Sequence, residues 1–338
     1  ILSIVGARPQ FIKAFVTINS INKLKDINNI LLHTGQHFDY DMSKIFFKEL
    51  KFNKNLIKIN LKVNQNRISR LSEMLFKLDK IINKIKPQLI LVYGDTDTTL
   101  AGSIVAKRLN IKLMHIESGL RSNVSEMPEE QNRFFTDYLS DYLICPNNES
   151  LQNLITYKNK RKFNYGDVMF DSFKFYSKFI DKNYFYKFKI KYKLPKKYLF
   201  VTIHRDSNSK AILIRKFLNS LSKINQIFFW PIHPKLRIII NKNKIIIPNN
   251  VISSKPISYL ECLAAIKGSD FVLTDSGGVQ KEAHFYRKKC FVLRKETEWK
   301  DLIKTNTVKL ISFNINSIKK SNKFLKKKIH NTKIFGNG

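Results

Sequence analysis

The chain has 338 residues, of which 43% are hydrophobic and 26% charged, and its formal net charge at pH 7 is +35. This composition excludes a disordered chain, no apolar run reaches the roughly 20 residues of a membrane-spanning helix, and the length predicts two domains. Lysines are spread along the whole chain without the interleaved aromatic side chains that stack on bases, so we expect neither a nucleic-acid nor a membrane partner.

The first half of the chain alternates strand-like and helix-like segments. Predicted strands cover 1–5, 29–33, 88–93, 111–116 and 141–145, and predicted helices cover 9–24, 40–50, 67–85, 97–109 and 128–139. A helix from 147 to 160 and a last strand and turn at 163–168 complete this half. Such alternation is typical of a doubly wound parallel sheet.

A second alternation begins at the apolar run 198–204, after a stretch rich in Lys and Tyr (173–194) that we interpret as a bridge between domains. Further strands are predicted at 226–231, 250–253, 270–274 and 290–293. The predicted fold class is therefore α/β, with two Rossmann-like doubly wound domains, 1–170 and 171–338, that face a cleft. The basic run 319–328 is predicted as a solvated helix with Phe324 and Leu325 packed inward.

Two carboxylates follow consecutive predicted strands of the first domain. Asp95 stands after the run 88–93, and Glu117 stands after the run 111–116. If these strands are neighbours, their ends lie roughly 5 Å apart at the edge of the sheet where α/β proteins bind ligands. Carboxylates that share a pocket repel each other, so one of them titrates high, as a general acid or base requires.

A cationic turn, Gly6-Ala-Arg-Pro-Gln-Phe-Ile-Lys13, directly follows the first strand. Pro9 suits the first position of a helix, whose unpaired amides then point outward beside Arg8 and Lys13. This arrangement favours an anion site, although an ordinary turn with surface cations would show the same residues. The dinucleotide fingerprint G-x-G-x-x-G is absent.

The second half contains a glycine pair in the same position relative to a strand. The run 271–274 leads into Ser276, Gly277 and Gly278, whose amides can surround phosphate oxygens. Glu282 follows in the helix and could hold ribose hydroxyls. A plain helix start remains the alternative.

Three further polar side chains end predicted strands and are candidates for the same site. His204 could bind phosphate or transfer a proton, His233 could line the site or only pack, and Gln36 lies in a possible ligand loop, 34–37. The three cysteines share no metal-like spacing and are predicted to be buried, reduced thiols. With no leader pattern before the first strand, we expect a cytoplasmic protein.

Taken together, these motifs resemble the non-hydrolysing UDP-N-acetylglucosamine 2-epimerases along nearly the whole chain. The segments that carry the resemblance are Gly6–Lys13, His33–His37, Tyr93–Thr96, His115–Arg121, Pro128–Arg133, Gly166–Met169, Thr202–Arg205, Thr274–Gly278 and Arg294–Glu298.

The resemblance implies a glycosyltransferase-B-like fold and a reversible, cofactor-free epimerisation at C2 of a UDP-N-acetylhexosamine that serves surface polysaccharide synthesis. It implies acid–base roles for Asp95, Glu117 and Glu129, with His204 at the departing phosphate. Arg8, Ser276, Gly277 and Gly278 would hold the diphosphate, Lys13 and Arg294 would line the nucleotide site, and Glu282 would bind ribose. The resemblance also implies a homodimer, although no pattern in the sequence itself indicates one.

The chain departs from the family pattern at Ser207, where many members carry Glu, and at Asn337 in the last Gly-x-Gly. The sequence ends at this Gly-x-Gly, whereas we expect members of the family to continue with a further helix. Trp299 replaces an Arg, which favours the branch that acts on modified sugars such as a 2,3-diacetamido-glucuronate. A hydrolysing epimerase or a glycosyltransferase on the same scaffold is the first alternative, and a binding protein is the second.

Overall fold

Short apolar runs build two parallel sheets, each the centre of its own compact unit. The computed structural model describes residues 1–36, 56–62, 66–311, 321–330 and 333–337. One unit comprises Ile1–Phe175 with Lys333–Gly338, and the other comprises Tyr176–Thr332. The domain boundary predicted after residue 170 lies a few residues before the observed boundary after Phe175, and Lys333–Gly338 belong to the first unit. The predicted helix 40–50 lies outside the described residues.

The first unit contains seven described strands, all paired in parallel, in the order β3-β2-β1-β4-β5-β6-β7. The strands are β1 (Leu2–Val5), β2 (Ile30–His33), β3 (Leu56–Lys58), β4 (Leu89–Tyr93), β5 (Lys112–Ile116), β6 (Tyr142–Cys145) and β7 (Arg161–Asn164). The helices are α1 (Arg8–Ile21), α2 (Arg67–Ile85), α3 (Asp97–Arg108), α4 (Pro128–Leu139), α5 (Asn148–Gln152) and α6 (Val168–Ser177). The strand order reverses between β1 and β4, and ligands bind at the carboxyl ends of strands at such a point.

The second unit repeats this plan with six described strands in the order β10-β9-β8-β11-β12-β13. They are β8 (Leu199–Thr202), β9 (Phe228–Pro231), β10 (Val251–Ser254), β11 (Phe271–Thr274), β12 (Lys289–Val292) and β13 (Val308–Leu310). The helices are α7 (Lys182–Lys191), α8 (Ala211–Ser222), α9 (Pro234–Lys242), α10 (Tyr259–Gly268), α11 (Gly277–Phe285), α12 (Lys300–Lys304) and α13 (Asn322–Lys326). Here the order reverses between β8 and β11.

Each unit has its own hydrophobic core between its sheet and helices. In the first, the four-residue spacing of Met74, Leu78 and Ile82 gives α2 one fully buried face against the strands. In the second, Trp230 and Phe217 are buried at the centre, and the partly buried Phe324 and Leu325 pack against the same core. The predicted inward orientation of these last two side chains is confirmed.

The predicted parallel sheets are confirmed, whereas several connecting segments differ from the prediction. The helix predicted from 147 to 160 ends at Gln152, because no continuous apolar face follows it. The predicted bridge 173–194 contains α7 and the end of α6, and the edge strands β3 and β13, of three residues each, were not predicted. All three cysteines are buried and free, as predicted. Among the described helices, none combines the length and apolar character needed to cross a membrane.

The start of α10 gives this fold a pH-dependent stability. Glu261 forms a capping box with Ser258 and accepts hydrogen bonds from Lys191 Nζ (2.6 Å) and Tyr192 Oη (2.9 Å). Burial alone would raise the pKa of Glu261, but the bonds from Lys191, the Ser258 amide and Tyr192 outweigh it and hold this pKa below its ordinary 4.5. A carboxylate with a lowered pKa stabilises the fold at neutral pH and loses this effect on acidification.

We therefore expect Glu261→Gln to lower the free energy of unfolding by about 1–2 kcal/mol at pH 7. The difference from wild type should shrink as the pH falls from the ordinary pKa of glutamate, 4.5, through the lowered pKa of the folded protein, because below both values the wild-type carboxyl is protonated as well. Urea unfolding followed by circular dichroism at several pH values measures this. Glu126→Gln, at an exposed position, is the control, and a difference that stays constant with pH would refute the assignment.

Candidate active site

Asp95 and Glu117 leave the carboxyl ends of neighbouring strands. β4 pairs with β5 in the register Tyr93↔Ile116, and the Gly94 amide donates to the Ile116 carbonyl at 2.9 Å. The prediction that the two strands are neighbours is confirmed. Both carboxylates therefore start from one edge of the sheet, beside its switch point.

Lys13 brings a buried cation to this edge. Its ammonium forms an ion pair with the Glu117 carboxylate, and both side chains are less than a tenth exposed. A Cβ atom placed on Gly94 would lie 3.3 Å from Lys13 Nζ, so the ammonium also lies beside the turn that carries Asp95. A cation here stabilises negative charge on either carboxylate or on a ligand.

Asp95 is paired with Arg133 of α4. Arg133 is buried and also contacts Glu130 (Nη1 to Oε2, 2.9 Å), while the Asp95 side chain is 29% exposed. Asn132 Nδ2 donates to the Asp95 carbonyl at 2.9 Å. Asp95 is thus oriented by α4 and remains accessible to a ligand.

The two adjacent glutamates at the start of α4 differ in environment. Glu130 is buried and accepts from the Ser122 amide and hydroxyl, both at 2.9 Å; burial opposes its ionisation, but bonds from Ser122 and Arg133 hold its pKa below the ordinary value. Glu129 is exposed and acts electrostatically on Arg67, whose pKa is raised mainly by its hydrogen bond to Asp97. Of the two, Glu129 is the one a ligand can reach, and Glu130 holds the local structure.

Glu117 has a strained backbone. Its φ is +73°, a left-handed conformation that costs a non-glycine residue on the order of 1 kcal/mol. The Ile144 carbonyl accepts from the amides of both Glu117 and Ser118, at 3.1 and 3.0 Å, and fixes the turn. Strain that the surroundings maintain in this way is frequent at functional sites.

The turn that precedes α1 is held by a side chain of that helix. The amides of Gly6 and Ala7 both donate to Gln10 Oε1, at 2.8 and 3.0 Å. Gln10 in turn donates to the Tyr93 carbonyl and ties the turn to β4. Arg8 is partly exposed, Lys13 is paired with Glu117, and the anion site at this helix start stays a prediction.

Gln36, another predicted ligand residue, has a local role. Its Oε1 accepts from the Thr98 amide (3.0 Å) and hydroxyl (2.7 Å) at the start of α3. Its binding role stays a prediction.

In the second unit, His204 lies against a buried carboxylate. Asp275 is fully buried and lies 3.1 Å from His204 Nδ1, and it accepts from the amides of His204 and Arg205 and from Asn208 Nδ2. Burial would raise the pKa of Asp275, but the hydrogen bond and charge of His204, together with these donors, lower it. With Nδ1 held, Nε2 is the ring nitrogen that can reach a ligand, and the side chain is 45% exposed.

The start of α11 lies next to this pair. Ser276 caps the helix by accepting from the Val279 amide. A Cβ atom on Gly277 would lie 2.5 Å from Glu298 Oε1 and 3.1 Å from Trp299 Nε1, so only a glycine lets these two side chains approach the helix start this closely. Glu298 is ion-paired with Arg294 at 2.8 Å, which brings Arg294 and the glycine pair into one cluster.

Two predicted ligand residues of this unit have protein partners. His233 caps α9 by accepting from the Lys235 amide at 3.3 Å. Glu282 is buried, and burial together with the charge of Glu282 raises the pKa of the Tyr259 phenol well above its ordinary value. The ribose role of Glu282 and the lining role of His233 stay predictions.

Sequence reasoning did not assign roles to Arg133, Asp137, His115 or Asp275. Arg133 and His115 lie inside motifs that were noticed, but only the strand and helix pairing shows that they contact acidic residues. Asp275 could have been suspected from its position between a strand and a glycine pair. Among the described residues, no group of three or more His, Cys, Asp or Glu side chains is arranged to hold a metal ion.

Comparison with known proteins agrees with this arrangement. A homolog of UDP-N-acetylglucosamine 2-epimerase from Methanococcus maripaludis is 39% identical over 312 residues, covering 90% of this chain and 86% of that protein. UDP-2,3-diacetamido-2,3-dideoxy-D-glucuronate 2-epimerase from Pseudomonas aeruginosa is 38% identical over 312 residues, covering 90% and 85%. The crystal structure of Methanocaldococcus jannaschii UDP-GlcNAc 2-epimerase, in complex with UDP-GlcNAc and UDP, has a TM-score of 0.91 at 31% identity, covering 100% of this chain and 96% of that one.

The family model described as UDP-N-acetylglucosamine 2-epimerase matches residues 19–338. This match covers every described strand except β1 and all candidate residues except Arg8 and Lys13, and the similarity to the M. jannaschii structure covers these as well. The predicted α/β class with two doubly wound sheets is confirmed, and the chain belongs to the UDP-N-acetylglucosamine 2-epimerase family.

Proposed function

We propose that the protein is an isomerase that reversibly inverts C2 of a UDP-N-acetylhexosamine, such as UDP-GlcNAc and UDP-ManNAc or a modified analogue. The observation that carries the proposal is the pair of carboxylates on adjacent strand ends, each with its own buried cation, in a chain of this family. Two acid–base groups are what an inversion through proton removal and proton return requires.

The proposed reaction removes the C2 proton and breaks the C1–O bond to UDP, which gives a 2-acetamidoglycal and free UDP. UDP then adds back at C1 while a proton is delivered to the opposite face of C2. Asp95, Glu117 and the exposed Glu129 are the candidate base and acid. Hydrogen leaves and returns as a proton, so the scheme needs no redox cofactor, and cations near the departing diphosphate stabilise its charge.

The second unit supplies the candidate nucleotide-binding groups. The helix start at Ser276, Gly277 and Gly278 can bind phosphate oxygens through its amides and its positive end. His204, oriented by Asp275, would contact the departing phosphate through Nε2. Arg294 is near this helix start through Glu298. Glu282, a buried residue of the same helix, is the candidate for the ribose hydroxyls.

The identity of the sugar is tested with a panel. We expect the protein to convert UDP-GlcNAc or UDP-2,3-diacetamido-2,3-dideoxy-glucuronate to a mixture of its two C2 epimers, and to give the same mixture when the reaction starts from the other epimer. The anomeric proton signals in NMR spectra measure the composition of this mixture. Release of free sugar and UDP would replace this proposal with a hydrolysing epimerase. Transfer of the sugar to an acceptor, without epimerisation, would replace it with a glycosyltransferase. Because the proposed substrate is a nucleotide sugar, we also propose that the protein acts in the cytoplasm.

A homodimer forms part of the proposal and is supported by α4. The buried residues of this helix are polar, among them Arg133 and Asp137, whereas Phe134, Phe135 and Tyr138 are 51%, 51% and 62% exposed. A helix with exposed aromatic and buried polar side chains reverses the usual pattern, and adjacent exposed aromatics favour a protein contact. We propose a second copy of this chain as the partner on this aromatic face.

Replacing both Phe134 and Phe135 with Ser is expected to convert the dimer to a monomer, because it removes the apolar surface on which association depends. Size-exclusion chromatography with light scattering measures the mass. Phe179→Ser, at a position 53% exposed in the second unit, is the matched control. Equal masses for wild type and the double variant would refute this interface.

A further inference from the structure

A histidine and an aspartate are completely buried beneath the two candidate acid–base turns. His115 lies on β5 and Asp137 on α4, and both side chains have no exposed surface. His115 Nδ1 lies 2.7 Å from Asp137 Oδ1, and His115 Nε2 lies 2.7 Å from the Gly94 carbonyl oxygen. Neither side chain is therefore accessible to a ligand.

The hydrogen bonds determine which atoms donate. The Gly94 carbonyl can only accept, so His115 Nε2 carries a proton. Asp137 Oδ2 accepts from Arg121 Nη1 at 2.7 Å and from the Gly119 amide at 3.2 Å, while Asp137 Oδ1 lies 2.7 Å from His115 Nδ1. The ring therefore joins the Gly94 carbonyl to Asp137.

These bonds end next to both candidate acids. Gly94 directly precedes Asp95, and Gly119 follows Glu117 by two residues. The Gly119 turn requires a glycine, since its φ is +78° and a Cβ atom there would lie 2.2 Å from the Ser150 carbonyl oxygen. One buried pair thus connects the turn of Asp95 to the turn of Glu117, across two strands and a helix.

We propose that His115 and Asp137 are positioning residues that fix the separation and orientation of Asp95 and Glu117 during turnover. This inference rests on the proposed epimerase function. A pair that only satisfies buried polar groups would affect stability, whereas a positioning pair affects the chemical step. A displacement of about 1 Å at a reacting group can slow a reaction by roughly 10²-fold, which makes this difference measurable.

The test uses His115→Phe, which keeps a ring without hydrogen bonds, and Asp137→Asn, which keeps the side-chain volume. We expect kcat for C2 epimerisation to fall about 10²-fold in each, with KM changed by less than about threefold. The matched control is His284→Phe, because His284 is also a buried histidine with a 2.7 Å hydrogen bond, to Thr307, in the second unit. It should lose stability and retain kcat. If His115→Phe does not fold, Asp137→Asn decides alone.

A double-variant cycle distinguishes positioning from general weakening. Asp95→Glu displaces the carboxylate by one methylene, so adding His115→Phe or Asp137→Asn to it should slow turnover little further. Multiplied losses, a loss confined to KM, or wild-type kcat in a folded Asp137→Asn variant would overturn the inference. Wild-type protein that does not epimerise any sugar of the panel would instead overturn the proposed function, and this inference with it.

Discussion

Asp95→Asn and Glu117→Gln are each expected to lower kcat for C2 epimerisation by about 10³-fold while the protein stays folded. Each substitution keeps the size of the side chain and removes its ability to take or give a proton. Lys13 and Arg133 lose a charged partner, but Arg133 retains Glu130, so the local structure keeps one ion pair. Turnover measured by NMR, with circular dichroism to establish folding, gives the result.

The control for this pair is Asp79→Asn, an exposed position on α2. It should retain wild-type kcat and KM. UDP affinity, measured by calorimetry, should be unchanged in Asp95→Asn and Glu117→Gln, since the proposed nucleotide groups belong to the other unit. Full activity in a protein that carries both substitutions would show that neither carboxylate takes part in the reaction.

Asp275→Asn is expected to lower kcat by about 10²-fold or more, because it disturbs the orientation and proton arrangement of His204. The asparagine oxygen can still accept from the backbone amides of His204 and Arg205, whereas its amide group no longer accepts from Nδ1 of the ring. The His204 ring then loses the bond that directs Nε2 to the phosphate. Steady-state kinetics over a range of pH would record the loss and any change in the pH profile.

Asp301→Asn is the matched control for this substitution, since its side chain pairs with Lys304 on the surface of the same unit. It should leave the kinetics unchanged. Removal of the side chain in Asp275→Ala is expected to cost about 3 kcal/mol of stability as well, because it leaves several buried donors without an acceptor. Wild-type kinetics in folded Asp275→Asn would exclude the proposed support of His204.

The parallel sheets and the first-unit carboxylates could be predicted because both depend on local patterns. Apolar runs followed by Asp95 and Glu117 already indicate strand ends, and adjacent strands in one β-α-β unit usually pair. The glycine pair of α11 likewise marks the start of a helix directly after a strand, and its anion-binding role stays a prediction.

The contacts that orient these groups could not be predicted, because they join residues far apart in sequence. Nothing local in α4 reveals that Arg133 contacts Asp95 or that Asp137 contacts His115. The role of Gln10 was not predicted either: its side chain accepts from the amides of Gly6 and Ala7 and ties the turn before α1 to β4. The inverted polarity of α4 could not be predicted, because the pattern over 128–139 indicates a helix and does not show that its polar side is the buried one.

The measurement that tests the central claim most directly is solvent exchange at C2. UDP-GlcNAc and its 2,3-diacetamido-glucuronate analogue are incubated with wild-type protein in D2O, and the C2 proton is followed by NMR and mass spectrometry. Our account predicts one deuterium at C2 of the intact nucleotide sugar in both epimers, with incorporation about 10³-fold slower in the presence of Glu117→Gln. Epimers that keep their original hydrogen at C2, or sugars that remain unexchanged with active wild-type protein, would contradict it.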